Sequence, residues 1–301
     1  MQASESTVSD KLSVSEKAQV LIEALPYIQK FAGKIVVVKY GGSTIQADGD
    51  RPDRIDPVIL DIIWLKQVGL QPVVVHGGGK AITKMLNALG HQAQFVDGLR
   101  VTDGPTMEVV EMVLGGQVNK QLVAAFGAAG SPAVGITGVD GHLLQVRKKN
   151  HPGGDLGLVG EVAGVQTGVL KALLSGGFIP VIAPIGVDEH GTRYNVNADS
   201  AAGAIAGALS AEKLILLTDV PGIMQNGTVL SEVTAADILR LIDEGTIHGG
   251  MVPKVEACLN ALEYGARHVH ILNGNERHAL LLEVFTKNGI GTLVRGGEPT
   301  V

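Results

Sequence analysis

Two lysines, an aspartate and a pair of glycine turns carry most of the chemistry legible in this 301-residue chain. Lys39 is the penultimate residue of the run "KIVVVKY", and Gly41 and Gly42 follow at once. A lysine at the end of an apolar strand is costly unless its stem packs and its ammonium reaches a ligand. Lys254 lies in "GGMVPKVEA", where Gly249, Gly250 and Met251 precede a helix with Pro253 near its first turn. Its surroundings alone favour a solvated surface lysine. Asp199 closes "YNVNAD", in which Asn195, Asn197 and Asp199 alternate ahead of an alanine-rich helix. Capping accounts for one of the three. Buried amides and carboxylates need partners, so the stretch reads as a site.

The segment "VVVHGGGK", residues 73–80, looks like a phosphate loop but matches neither standard nucleotide fingerprint. Val74 and Ala81 stand where a Walker A loop needs Gly and Ser or Thr, and Ile82 breaks G-x-G-x-x-G. Glycines at a strand-to-helix turn still free backbone N–H groups beside a positive helix end. One such turn is an ordinary connection. Two, at 41–42 and 77–79, one of them led by a lysine, point to an anion site. Arg100 in "GLRVTD" can hold a carboxylate through two parallel hydrogen bonds. The nine histidines show no metal-ligand spacing, and His268 and His270 read as core or surface residues. With no Ser-His-Asp arrangement, this cationic, amide-rich inventory suits phosphoryl transfer, where positioning and charge neutralisation do most of the work.

The elements that must hold these residues follow a repeated grammar. "KIVVVKY", "QPVVVH", "SPAVGIT", "GFIPVIAPI", "EKLILLTD" and "RHVHIL" are short apolar runs separated by helical lengths. That pattern predicts an α/β fold with a mainly parallel sheet covered on both faces. Helices are expected at 54–69, 80–90, 105–129, 167–176, 198–210, 234–244 and 252–265, and hairpins within 93–101 and 142–165. Ligands gather beyond the carboxyl ends of such strands, which adds Thr218 and Asp219 to the candidates. Ser15 is expected to cap an N-terminal helix with Val14, Ala18, Leu21, Ile22, Leu25 and Ile28 on one stripe, kinked at Pro26. That stripe could cover its own subunit or a partner.

Composition narrows the function classes. A formal net charge of −6 without a polybasic block argues against nucleic acid and anionic membranes, and the Arg147–Lys149 run reads as a hairpin tip. The polar N-terminus and the proline-broken apolar runs predict a cytoplasmic protein without a membrane span. The single cysteine, Cys258, reads as a buried, inert thiol.

Taken in order, "KYGGS", "VVVHGGGK", "GLRVTD", "NVNADSAA", "LLTDVPG" and "GGMVPKVEA" resemble the amino-acid kinase family from about residue 34 onward. "GLRVTD" with "NVNAD" points to the branch that acts on N-acetyl-L-glutamate; "GGSTI" departs slightly from the usual small residue beside the phosphate loop. The resemblance implies an open αβα sandwich with a mainly parallel central sheet, an extension over 1–33, an acyl-amino-acid lobe over 34–190 and an ATP lobe over 191–301. It implies transfer of the γ-phosphoryl group of ATP, with Mg2+ held mainly by the nucleotide phosphates, to the side-chain carboxylate. Lys39 and Lys254 would stabilise that group, and Asp199 would orient both. Gly41, Gly42, Gly78 and Gly79 would supply N–H donors, while Arg100 and Asn195 hold the acceptor. Thr218, Asp219, Gly249 and Met251 would border the nucleotide. The resemblance further implies a hexamer, built as a trimer of dimers through the N-terminal helix, and inhibition by arginine near Tyr27, Glu283 and Gly289. A kinase for an N-blocked 2-aminoadipate and a non-catalytic sensor of the same fold stay open as alternatives. A dinucleotide-dependent dehydrogenase lacks its glycine fingerprint.

Overall fold

The protein was analysed as a computed structural model describing residues 13–41, 55–286 and 289–296. Gly42 and the start of the helix expected at residue 54 lie outside the described residues. The six apolar runs and two further short strands form an eight-stranded sheet in the order Glu232–Thr234, Thr292–Arg295, His268–Asn273, Lys213–Thr218, Ile35–Tyr40, Gln71–His76, Ile179–Ala183, Ala133–Thr137. Its neighbours are parallel except for His268–Asn273 against Thr292–Arg295.

Alternation along Ile35–Tyr40 decides what Lys39 faces. Val36, Val38 and Tyr40 enter one core with Ile62 and Leu65 of the helix Pro57–Gln67. Val37 enters the other with Ala201, Ala202 and Ile205 of the helix Ala198–Ala208. Successive strand residues point to opposite faces, so Lys39 shares the Val37 side, beneath the helix whose first turn bears Asp199.

That helix packs against Val252–Glu263 through small residues. A Cβ on Gly207 would stand 2.4 Å from the Cβ of Tyr264, so only glycine permits this approach. The two helix N-termini, with Asp199 and Lys254 in their first turns, thereby meet.

A small closed barrel of Arg193–Val196, Val159–Val165, Leu144–Lys148 and Ile185–Val187 stands beside the sheet. It divides the run "GFIPVIAPI", expected as one strand. Ile179–Ala183 stays in the main sheet and Ile185–Val187 joins the barrel, with Pro184, which lacks an N–H donor, between them.

Two further expectations need correction. The N-terminal helix Val14–Phe31 is capped by Ser13, not Ser15. Ser13 and Glu16 form a reciprocal capping box, a three-residue offset that Ser15 lacks because Ala18 stands there. The long helix expected over 105–129 is α-helical at Gly104–Val110 and Asn119–Ala128 but π-helical across Glu111–Val118. Gly115 and Gly116 lie in the middle of that stretch, where two adjacent residues without side chains weaken the α-helical preference.

The N-terminal helix keeps Pro26 within it and leaves Leu21, Ile22 and Leu25 exposed. Tyr27 instead turns to the ring of Phe285, 6.4 Å away. Among the described residues, no helix is long and apolar enough to cross a membrane.

Candidate active site

Lys39, Asp199 and Lys254 converge at the carboxyl end of the sheet. Lys39 Nζ lies 2.9 Å from Asp199 Oδ1, and Lys254 Nζ lies 3.9 Å from Asp199 Oδ2. Lys39 and Asp199 are each 8% exposed. The shorter contact is an ion pair without hydrogen-bond alignment, which leaves ammonium donors for a ligand. Asn197, the cap of the Ala198–Ala208 helix, accepts from the Asp199 and Ser200 N–H groups at 2.9 and 3.1 Å. That cap fixes the turn from which Asp199 projects.

A cavity of about 240 Å³ opens between this cluster and the turn at residues 77–79. Lys39, Gly78, Gly79, Arg100, Asn195 and Asp199 are among its lining residues. Gly78 precedes the helix Gly79–Ala88, whose start has no side-chain cap, so its first N–H groups are open to a ligand. Gly78 also packs closely: a Cβ there would meet Leu114 Cδ2 at 2.5 Å and force that side chain to shift. Gly77 N–H is committed elsewhere, to the Tyr40 carbonyl at 2.9 Å, which ties the two neighbouring strand ends together. Gly41 directly follows the strand that carries Lys39. Lys80 is exposed on the Gly79–Ala88 helix and borders an adjoining open groove of about 530 Å³.

Arg100 is 7% exposed and only half satisfied. Its Nη2 donates to the Gly79 carbonyl at 2.9 Å and to Thr83 Oγ1 at 2.8 Å. Its guanidinium stands 4.7 Å from the centre of the Phe95 ring. Nη1 is buried with no hydrogen-bond partner among the described residues. An unpaired buried donor of a permanent cation, bordering a cavity, is the signature of a site for a carboxylate. Asn195 Nδ2 donates to Thr102 Oγ1 at 3.2 Å, and Thr102 Oγ1 donates to the Arg100 carbonyl at 3.0 Å. The barrel strand and the segment carrying Arg100 are thus held together.

The remaining candidates stand outside this cavity. Thr218 ends its strand with its hydroxyl turned to Val220, and Asp219 is exposed. Gly249 and Met251 form a short 3-10 turn ahead of the Val252–Glu263 helix, whose start also lacks a side-chain cap. Glu283 is buried in a second polar cluster, where it accepts from His270 Nδ1 at 2.6 Å and from Ile290 N–H at 2.7 Å. Lys213 Nζ reaches His270 Nε2 at 2.9 Å. Gly289 lies against the Glu283 carboxylate, and Tyr27 reaches the same helix, Ala279–Phe285, through Phe285. Burial draws the Lys213 ammonium down to about 8 and the His270 imidazole down to about 4. Cys258 is fully buried, and burial pushes its thiol up.

Reasoning from the sequence missed Thr83, Thr102, His76 and Asn119. Thr102 and His76 sat inside quoted motifs but were overshadowed by Arg100 and by the glycines at 77–79. Nothing in sequence spacing marks Asn119, which reaches His76 only through the fold.

This architecture and cluster define a class: the chain belongs to the amino acid kinase family, whose pattern matches residues 34–273. The acetylglutamate kinase of Desulforamulus reducens is 51% identical over 288 residues, covering 94% of this chain and 99% of that protein. The acetylglutamate kinase of Heliobacterium modesticaldum is 50% identical, covering 94% and 99%. Among solved structures, N-acetylglutamate synthase from Neisseria gonorrhoeae, in complex with coenzyme A and N-acetyl-glutamate, aligns with a TM-score of 0.81 at 28% identity. That match covers 93% of this chain but 64% of the synthase.

Proposed function

We propose that this chain transfers the γ-phosphoryl group of ATP to the side-chain carboxylate of N-acetyl-L-glutamate, giving N-acetyl-L-glutamyl 5-phosphate and ADP. The observation that carries this reading is the convergence of Lys39 and Lys254 on Asp199, beside a cavity with an unpaired Arg100 donor. The names of relatives at 50–51% identity over nearly their whole length support the acceptor.

The chemistry follows from charge. A glutamyl carboxylate has a reference pKa of about 4.3, so the nucleophile is ionised at neutrality and needs no general base. A carboxylate oxygen bonds to the γ-phosphorus while the bond to the β,γ-bridging oxygen breaks, and the electron pair leaves with ADP. The barrier lies in bringing two anions together and in the charge left on ADP. Lys39 on the acceptor side and Lys254 on the nucleotide side oppose both, with Asp199 holding the lysines apart and aimed. The Gly78 and Gly79 N–H groups serve the equatorial oxygens, and Gly41 and Gly42 do so from the neighbouring turn. Arg100 Nη1 takes the α-carboxylate, and Asn195 serves the acetylamino end. Thr218, Asp219, Gly249 and Met251 border the nucleotide. Mg2+ would be held mainly by the nucleotide phosphates and would add charge neutralisation.

Residues 34–190 then act as the acceptor lobe and 191–301 as the nucleotide lobe of a cytoplasmic enzyme. The exposed Leu21, Ile22 and Leu25 support assembly through the 1–33 extension into a hexamer. The Glu283 cluster, with Tyr27 and Gly289, supports a regulatory arginine site. The test is ADP release with N-acetylglutamate, N-acetylaminoadipate or free glutamate, each with and without arginine. N-acetylglutamate should be the best acceptor; preference for N-acetylaminoadipate, or no ADP release with any, would overturn the reading.

A further inference from the structure

Beneath the glycine turn lies a polar chain that the reaction scheme does not use. His76, the last residue of its strand, is fully buried, and so is Asn119. Asn119 Nδ2 stands 2.9 Å from the Val181 carbonyl, 3.4 Å from the Ile136 carbonyl and 3.1 Å from His76 Nε2. Its Oδ1 receives Lys120 Nζ at 3.1 Å, and Lys120 also donates to the Gly135 carbonyl at 2.9 Å. The amide therefore has one sensible orientation: flipping it would turn its oxygen to two carbonyls and its NH2 to an ammonium. With Nδ2 donating, His76 Nε2 must be the acceptor. The proton then sits on Nδ1, which lies 2.9 Å from the Gly77 carbonyl.

The consequence is geometric. In a trans peptide, the carbonyl and the following N–H point in opposite directions. The Gly77 carbonyl is turned toward the buried His76 ring, whereas Gly77 and Gly78 border the cavity. The Gly78 N–H is thereby turned outward, into the cavity. Burial keeps the ring neutral, drawing its pKa down to about 4 against the opposing pull of the Gly77 carbonyl, and the nearby Lys120 ammonium adds to the lowering.

We propose that His76 and Asn119 are positioning residues for phosphoryl transfer: Asn119 selects the Nδ1–H tautomer of His76, and that N–H locks the Gly77–Gly78 peptide so that the Gly78 N–H faces the transferring group. This deepens the kinase reading above and rests on it. Neither side chain touches substrate. Each acts through a backbone donor, and such donors in catalytic sites are worth on the order of a hundredfold or more in turnover.

Two variants separate this role from simple packing. In His76→Asn, the side-chain amide can occupy the Nδ1 position and still donate to the Gly77 carbonyl. In His76→Gln, the amide reaches the Nε2 position and satisfies Asn119 but leaves that carbonyl unheld. His76→Gln should lower kcat by about tenfold or more, with KM for both substrates within about threefold, and His76→Asn should recover most of the loss. Equal kcat for the two variants, or losses confined to KM, would overturn the proposal. The tautomer is read independently by 15N NMR of the imidazole in the unmodified protein at pH 7. Protonated Nδ1 with bare Nε2 is expected, and the reverse pattern overturns the proposal even if the variants fail to fold. Should the unmodified protein release no ADP with N-acetylglutamate, the kinase reading fails on its own, while the NMR pattern still decides the tautomer.

Discussion

Lys39 and Asp199 form an ion pair at 2.9 Å across the gap between a strand end and a helix start, with both residues almost wholly buried. Removing one partner strands the other charge in a poorly solvated place, so the pair is coupled in stability as well as in turnover. Lys39→Met should reduce kcat by about 10²–10³-fold. Asp199→Asn should destabilise the fold by about 2 kcal/mol, because two ammonium groups then face each other unscreened. Adding Lys39→Met to Asp199→Asn should restore part of that stability. A urea-unfolding double-mutant cycle measures it, with an expected coupling of about 1–3 kcal/mol; additive effects would contradict the arrangement.

Arg100 divides its guanidinium between the protein and the cavity. Arg100→Lys keeps the charge but cannot serve Gly79, Thr83 and a ligand at once. Losing a charged hydrogen bond is worth about 1.5–3 kcal/mol, so KM for the acceptor should rise by roughly 10- to 150-fold. kcat should change far less and KM for ATP should stay put. Initial-rate kinetics with each substrate varied checks this.

His76 and His270 give the fold a specific acid sensitivity. Both are held neutral by burial, with pKa values drawn to about 4 from an ordinary 6.5. Between those values the unfolded chain binds protons that the folded chain refuses, so unfolding becomes easier as pH falls. Stability should therefore decline from about pH 6.5 to about pH 4, at no more than about 1.4 kcal/mol per pH unit for each histidine. His270→Asn should flatten the slope in that window when ΔG of unfolding is measured in urea at successive pH values.

The exposed stripe of the N-terminal helix should matter for assembly and not for chemistry. Deleting residues 1–30 should leave active dimers with weakened arginine inhibition, as read by light scattering and ADP release. Hexamers that survive the deletion would rule out the helix as the assembling element.

Some of this was written locally in the chain and some was not. Lys39 and Asp199 were legible because each breaks an apolar pattern beside glycine or a cap, whereas Lys254 gained its role only through the family resemblance; the β-branched runs marked the central strands. The barrel was harder: Ile185–Val187 and Arg193–Val196 are short, and beyond pairing with each other they must find Leu144–Lys148 and Val159–Val165, far away in sequence. The strand Thr292–Arg295, inserted between His268–Asn273 and Glu232–Thr234, and the helix Ala279–Phe285, packed on Pro57–Gln67, are also brief and gain their stability from tertiary contacts. Asn119 looked like one more residue of a long helix. Its role depends on the phase of that helix, which apolar spacing does not encode.

The π-helical stretch sets that phase. Leu114 fills the space beside Gly78, and Asn119, five residues later, sits under His76. Five residues along an α-helix amount to about 500° of rotation, leaving such a pair about 140° apart on the cylinder. Here Asn119 N–H bonds to the Leu114 carbonyl, the wider π spacing, which brings residues five apart close to vertical alignment. One helix can then touch both sides of the same glycine turn. Winding these same residues as ordinary α-helix would swing everything after them by about 100°. The extra residue works as a gear tooth, keeping two contacts in step.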